Sequence, residues 1–295
     1  MSIPLLKAVV FTAIALALVM AAGPIVGTLA ALTGLSSVPA PAYAAVVCAL
    51  LLAVTRVALH REGLGLGSLG LVPSRDRIRE LAIGFAAGVL LFAVLALVRG
   101  ALAGVTWTFG GLHAMLPVLA SVFVALVLLL PEELLFRGYA FQRLVQAGGV
   151  WPAILTSAFF FGLYHLVGSG MWGIGAFFRG AMPALGGVVF GWLAVRTRGL
   201  ALPVGLHLGG NWTLAAVLSF RSQSDAGPAA AWTAYLTGSQ QWALYGPELS
   251  SHLPFIVAML VAFVVLGLGS RPREGPPDDP RSRRSDEISS LLVQN

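Results

Sequence analysis

The chain of 295 residues is 58% hydrophobic and only 10% charged, and its mean hydropathy is +0.88. This composition excludes a water-soluble globular fold, because too few polar side chains are available to cover a folded core. The net charge is +6, but no soluble domain remains to form a nucleic-acid-binding surface, so we expect no nucleic-acid partner. The lipid bilayer is therefore the expected solvent.

Eight apolar runs of about the length of a membrane-spanning helix follow one another along the chain. A spanning helix needs roughly 17–25 residues, and only the run 181–195 is clearly shorter. Segments rich in Gly, Pro and Ser separate the runs and predict turns between them. The runs cover residues 8–32, 42–59, 81–98, 112–130, 151–167, 181–195, 200–220 and 253–269. The sequence therefore predicts an all-α, polytopic membrane protein with about eight transmembrane helices.

The basic residues between these runs predict the orientation of the chain. When the 18 Lys and Arg residues are assigned to alternate sides of eight helices, 15 fall on one side and only Arg99, Arg179 and Arg221 on the other. Because cytosolic loops carry the excess of positive charge, both termini are expected to be cytosolic. The composition, rich in Ala, Gly and Leu, favours an integral multi-pass protein of a bacterial cytoplasmic membrane.

Changes in composition divide the chain into five segments. Residues 1–76 hold the first two helices and a cytosolic loop, and residues 77–111 hold the third helix. Residues 112–220 contain the polar side chains discussed next, and residues 221–270 form an extracytosolic loop and the last helix. The final segment, 271–295, is rich in Pro, Arg, Asp and Ser, which predicts a disordered cytosolic tail.

Two adjacent acidic residues, Glu132 and Glu133, lie within helix-forming apolar sequence. A charge at such depth costs roughly 2.5–3.5 kcal/mol, so both carboxylates should face a cavity or a partner. Neighbouring helical residues point about 100° apart, and the two carboxylates therefore have different roles. Glu133 and Arg137 have the i,i+4 spacing of an ion pair, which leaves Glu132 to face elsewhere. Pro131 predicts a kink beside Glu132.

Two histidines, His165 and His207, also fall within predicted spans. His207 and Asn211 share one helix face at i,i+4 spacing, so both could reach one ligand. If the chain turns at 148–149, Glu132 and His165 lie about 17 and about 16 residues from the turn, and so at nearly equal depth on adjacent helices. This argument predicts that Glu132 and His165 meet, but it leaves the depth of His207 open.

These residues form three motifs in order along the chain. The motifs are Glu132-Glu133-x3-Arg137-x3-Phe141, Phe161-x3-His165 and His207-x3-Asn211. With them the sequence resembles the CAAX protease and bacteriocin-processing (CPBP) family of intramembrane glutamic endopeptidases, which includes the type II CAAX prenyl endopeptidases. The resemblance covers about residues 112–220 and indicates that this segment is the catalytic core.

The resemblance implies a peptidase mechanism and a role for each residue. Glu132 would be the general base that activates water, with His165 helping to position it, while His207 and Asn211 would stabilise the tetrahedral oxyanion. The predicted ion pair beside Glu132 would be structural support. The expected substrate is a peptide or a membrane protein at the lipid bilayer, and no cofactor or metal is expected.

Three alternatives remain open on the sequence alone. Glu132, His165 and His207 could bind zinc with Glu133 as the base, although no His-Glu-x-x-His helix is present. An intramembrane carboxylate with two histidines is also typical of a proton-coupled transporter. A non-catalytic membrane scaffold or immunity protein of the same fold would keep the same residues.

Overall fold

The computed structural model describes residues 1–34, 39–167, 173–222, 224–225, 230–246 and 248–269. The tail predicted at 271–295 lies outside the described residues. The described helices are α1 Ile3–Leu32, α2 Ala40–His60, α3 Arg75–Leu102, α4 Met115–Arg137, α5 Tyr139–Gly148, α6 Val150–Leu166, α7 Gly173–Thr197, α8 Ala201–Trp212, α9 Gly238–Tyr245 and α10 Leu249–Gly269. The strands are β1 Thr108–Phe109, β2 Leu218–Ser222 and β3 Trp232–Leu236.

Six helical stretches among the described residues are long and apolar enough to cross a membrane. They are α1, α2, α3, α7, α10 and the stretch Leu112–Gly148, which contains α4 and α5. Helix α6 is apolar but has only 17 residues. The predicted all-α polytopic membrane fold is confirmed, whereas the predicted number of eight spanning helices is not.

The apolar run 200–220 does not form the continuous spanning helix that was predicted. Helix α8 ends at Trp212, a π-helical turn covers Thr213–Val217, and the chain continues as strand β2. The Thr213 hydroxyl donates to the Gly209 carbonyl at 2.7 Å at this point, and such back-bonding weakens a helix. Hydropathy did not reveal the change because a buried strand and a buried helix are equally apolar.

The turn predicted at 148–149 is also not the first break after Glu132. Helix α4 ends at Arg137, and α5 begins at Tyr139 in a new direction after Gly138. Only glycine fits at this break, because a Cβ atom on Gly138 would overlap the Leu134 carbonyl oxygen. The depth argument from one continuous hairpin was therefore wrong in its geometry, although α4 and α6 still pack against each other.

Glycines bring α3 and α8 together along their whole shared length. Gly84 lies against the backbone of Leu202 and Leu206, and Gly88 lies against that of Leu206 and Gly210. Residues four apart on α3 thus meet residues four apart on α8, as in the small-xxx-small packing of membrane helices. The two helices run in the same direction, and this contact sets how far α8 extends into the protein.

The turn between α7 and α8 is held by an arginine from α3. The side chain of Arg77 is 5% exposed and donates to the carbonyl oxygens of Thr197 and Arg198, at 2.9 and 3.1 Å. These carbonyls lie at the C-terminal end of α7, where a cation is favourable. Arg77 therefore fixes the start of α8 relative to the start of α3.

The three strands form a small sheet in the order β1-β3-β2, with β2 parallel and β1 antiparallel to β3. Strand β2 crosses the segment boundary predicted at 220, and β3 lies within the segment predicted as an extracytosolic loop. Two tryptophan rings of this segment are exposed, with Trp232 at 41% and Trp242 at 60%. The sheet satisfies the backbone that follows α8, which is necessary in or near a bilayer.

Candidate active site

The core of the site is a fully buried ion pair on α4. Arg137 Nη1 lies 3.2 Å from Glu133 Oε1, and neither side chain is exposed. The pair predicted from i,i+4 spacing is thus present in the structure. Arg137 lies against aromatic rings, with its guanidinium carbon 4.1 Å from the centroid of Phe161 and 5.3 Å from that of Phe190. Such contacts offset part of the cost of burying the cation.

His207 from α8 lies between the two glutamates. Its Nδ1 is 2.8 Å from Glu133 Oε1, and its Nε2 is 3.9 Å from Glu132 Oε2. A carboxylate only accepts hydrogen bonds, so His207 donates from Nδ1 to Glu133. Nε2 is then an acceptor in the neutral ring and a donor in the imidazolium form. The gain or loss of one proton at Nε2 therefore decides whether His207 donates or accepts a hydrogen bond on the side of Glu132.

Aromatic rings fix the orientation of His207. Phe190 from α7 stacks on the imidazole at a centroid distance of 4.8 Å and an interplanar angle of 20°. Phe161 from α6 meets it edge-on at 6.2 Å. Glu133 binds one nitrogen of the imidazole, and Phe190 and Phe161 pack against the ring. His207 therefore has little freedom to turn. Its Nε2 is thereby directed to the Glu132 side.

Glu132 and Asn211 line the same cavity. This open cavity of about 370 Å³ lies between α4 and the end of α8. Glu132 is partly accessible, with 20% of its side chain exposed. The remaining lining is apolar and consists of Ala125, Leu128, Leu129, Leu214 and Ala215. A carboxylate and an amide thus face a space large enough for a short stretch of peptide, and the His207 imidazole lies beside the carboxylate.

His165 lies one turn beyond Phe161 on α6. Its Nδ1 is 2.8 Å from the Phe161 carbonyl oxygen, and the rings of the two residues meet edge-to-face at 4.6 Å. Phe161 therefore contacts both histidines, and it links His165 to His207. In the neutral ring with Nδ1 donating to the carbonyl, Nε2 is an acceptor. The structure connects His165 to the site through Phe161.

The zinc alternative is not favoured by this geometry. Among the described residues, no group of three or more His, Cys, Asp or Glu side chains is close enough together to hold a metal ion. Zinc sites need at least three such ligands at about 2.0–2.3 Å. Moreover, the base of that alternative, Glu133, is bound by both Arg137 and His207.

A segment of the chain matches a known protein family. Residues 114–213 match the family model described as Type II CAAX prenyl endopeptidase Rce1-like. This segment of the chain is similar to the Rce1-like family. The matched segment is about a third of the chain and extends from the residue before α4 to the residue after α8. No curated protein and no solved structure is significantly similar to the chain.

The match confirms the resemblance to the type II CAAX endopeptidases over this segment, and that family is one of peptidases. Its matched segment contains all of the polar residues singled out in the sequence. Sequence reasoning missed the ring of Phe190, which lies in an apolar run without any polar signal, and the contact between Glu133 and His207. Glu133 and His207 come together only because α4 packs against α8.

Proposed function

We propose that the chain is an intramembrane endopeptidase that hydrolyses peptide bonds of membrane-associated proteins or peptides with water activated by Glu132. The observation that carries this proposal is the shared cavity of Glu132 and Asn211, with His207 Nε2 3.9 Å from Glu132 Oε2. The match of residues 114–213 to a peptidase family supports the same reaction. A carboxylate base beside two hydrogen-bond donors is the arrangement that peptide hydrolysis by water requires.

In this mechanism Glu132 accepts a proton from water while the water oxygen bonds to the carbonyl carbon of the substrate. The carbonyl electrons move to its oxygen, and the amide of Asn211 and the protonated Nε2 of His207 donate to that oxyanion. The intermediate then collapses, the C–N bond breaks, and the leaving amine takes the proton from Glu132. His165 acts as an acceptor that orients the attacking water.

Glu133 has a supporting role in this proposal. Its carboxylate accepts hydrogen bonds from Arg137 and from His207 Nδ1. A negative charge therefore contacts the imidazole at the nitrogen that points away from Glu132. This contact fixes the ring so that Nε2 faces Glu132. Glu133 would therefore prepare His207 for the oxyanion without touching the substrate.

The proposal is tested by comparing protein fragments in membranes from cells that express the wild type, Glu132→Gln or Glu248→Gln at equal levels. Glu132→Gln keeps the size of the side chain and removes the base, whereas Glu248 is exposed and distant in sequence from the site. We expect new protein termini with the wild type and with Glu248→Gln but not with Glu132→Gln. Identical fragments in all three samples would contradict the proposal, and a transport or scaffold function would replace it.

A chelator distinguishes the metal-independent mechanism from the zinc alternative. Once a cleaved substrate is known, cleavage by the purified chain is measured before and after treatment with a zinc chelator. We expect the same rate, since Glu132 rather than a metal activates the water. A loss of activity that added zinc restores would contradict the glutamate mechanism while leaving the peptidase function intact.

A further inference from the structure

A second cavity lies between α1, α2 and α5, away from Glu132. Its volume is about 330 Å³, and we call it the α1–α2 groove. None of the residues that line it lines the cavity of the candidate active site. Its lining is Leu6, Lys7, Val10, Phe11, Ile14, Val54, Val57, Ala58, Arg61, Glu62 and Tyr139. The groove is thus a separate site on the protein.

The apolar part of the groove runs along the helices rather than across them. Leu6, Val10 and Ile14 follow one another at four-residue intervals on α1, and about half of each side chain is exposed. Val54 and Ala58 line it at the same interval on α2. From Leu6 to Ile14 this surface rises about 12 Å at ~1.5 Å per residue, in the direction of the membrane interior. A straight alkyl chain fits such a surface.

The polar end of the groove is rich in cations. Glu62 forms two ion pairs, with Lys7 Nζ at 3.0 Å and with Arg143 Nη1 at 2.8 Å. It also accepts a hydrogen bond from the Tyr139 hydroxyl at 2.5 Å. Arg61 also lines the groove and is exposed. Two cations thus contact the Glu62 carboxylate, and the further cation of Arg61 leaves an excess of positive charge at this end of the groove.

We propose that the α1–α2 groove binds an anionic phospholipid, with an acyl chain along α1 and α2 and the phosphate beside Lys7 and Arg61. The apolar length and the cationic end match the two parts of this molecule in the same order. A phospholipid with no net charge would fill the apolar part equally well but would gain less from the cations. The site does not depend on the peptidase mechanism, since it shares no residue with it.

The test measures lipid binding to the purified full-length chain in detergent by native mass spectrometry. Phosphatidylglycerol and phosphatidylcholine with identical acyl chains are titrated separately. We expect phosphatidylglycerol to bind at least about fivefold more tightly, since each basic residue near a lipid headgroup contributes on the order of 1 kcal/mol. Equal affinities for the two lipids would overturn the proposal.

Two pairs of variants locate the binding. Arg61→Gln removes a cation of the groove, and Arg79→Gln removes an exposed cation of α3 outside it. We expect about a fivefold loss of phosphatidylglycerol affinity for the first and no change for the second. Ala58→Phe should fill the groove and weaken both lipids, whereas Ala53→Phe, on an exposed part of α2 outside the groove, should not. Variants that bind like their controls would contradict the assignment.

A competition with inorganic phosphate separates a lipid from a free anion. Phosphate lacks the acyl chain, so at equal concentration it should leave phosphatidylglycerol bound. Complete displacement by phosphate would show that the polar end alone binds and would overturn the lipid assignment. Arg61 is exposed, and its variant therefore tests the proposal even where Ala58→Phe does not fold.

Discussion

Glu133 on α4 and His207 on α8, 74 positions apart in the chain, are joined by a contact of 2.8 Å between Oε1 and Nδ1. The same oxygen also accepts a hydrogen bond from Arg137 Nη1 at 3.2 Å. One buried carboxylate therefore connects the ion pair of α4 to the imidazole that faces Glu132. Four predictions on the site and its packing and one on a distant ion cluster can be tested.

Removing the charge of Glu133 should destabilise the protein. Glu133→Gln leaves the Arg137 guanidinium buried without its counter-ion, and breaking a buried pair in this way costs about 3–5 kcal/mol. The exposed Glu248→Gln serves as control and should change the unfolding free energy by less than about 0.5 kcal/mol. Denaturant unfolding in detergent micelles measures both. A Glu133→Gln variant as stable as the control would show that the pair is not needed.

Removing both charges of the pair separates stability from activity. The double variant Glu133→Leu with Arg137→Leu should recover part of the stability lost in Glu133→Gln, because no uncompensated buried charge remains. Its peptidase activity should stay low, since His207 loses the carboxylate at Nδ1. Full activity in the double variant would mean that Glu133 does not prepare His207.

Asn211 should act on the rate of the reaction and not on the fold. It is exposed at the cavity, so Asn211→Ala removes a donor to the oxyanion without disturbing packing. We expect kcat to fall by roughly 10²–10³ with little change in KM, as for other oxyanion donors. Steady-state kinetics on a cleaved peptide measure this. Gln241→Ala, an exposed amide on α9, is the control and should keep the wild-type kcat.

The close packing of α3 with α8 should tolerate no side chain at Gly84. A Cβ atom there would overlap the Leu202 carbonyl oxygen, so Gly84→Ala must push the two helices apart. We expect a loss of about 1–3 kcal/mol of stability, as in other overpacked interiors. Activity should fall as well, because the shift moves His207.

A glycine within α1 is the matched control for Gly84. Gly27 has no neighbouring atom within 4 Å of an added Cβ, and alanine is the better helix former by up to about 1 kcal/mol. Gly27→Ala should therefore be neutral or stabilising in a thermal unfolding experiment. If both alanine variants behaved alike, the close contact at Gly84 would not determine the position of α8.

The ion cluster of Glu62 should make stability depend on pH on the acid side. Burial raises the pKa of Glu62, but the hydrogen bond from Tyr139 and the charges of Lys7 and Arg143 outweigh it, and the pKa is lowered from the ordinary value of 4.5. A lowered pKa in the folded state means that the stabilisation is complete above about pH 5 and is lost as the pH falls through the folded-state value.

The thermal midpoint of the wild type should therefore fall on acidification below about pH 5, and this fall should be smaller in Glu62→Gln. At pH 7 the variant should be less stable than the wild type. Glu248→Gln should keep the wild-type pH dependence. Parallel curves for all three proteins would contradict a stabilising role of the charged Glu62.

Local spacing in the sequence predicted part of the site. The pairing of Glu133 with Arg137 and the common face of His207 and Asn211 follow from helix geometry within one element. The contact of Glu133 with His207 could not be predicted, because it depends on how α4 packs on α8. The ends of helices also escaped prediction, since the break at Gly138 and the change from helix to strand after Trp212 leave hydropathy unchanged.

Helix α8 has only 12 residues, which at about 1.5 Å each span some 18 Å of a hydrocarbon layer about 30 Å thick. Such a segment is not stable in a bilayer by itself, because the unpaired peptide groups at its end would be exposed to lipid. Its position must come from docking onto helices that are already inserted. We therefore expect His207 and Asn211 to reach their places when α8 docks onto the longer helices, after those helices have inserted.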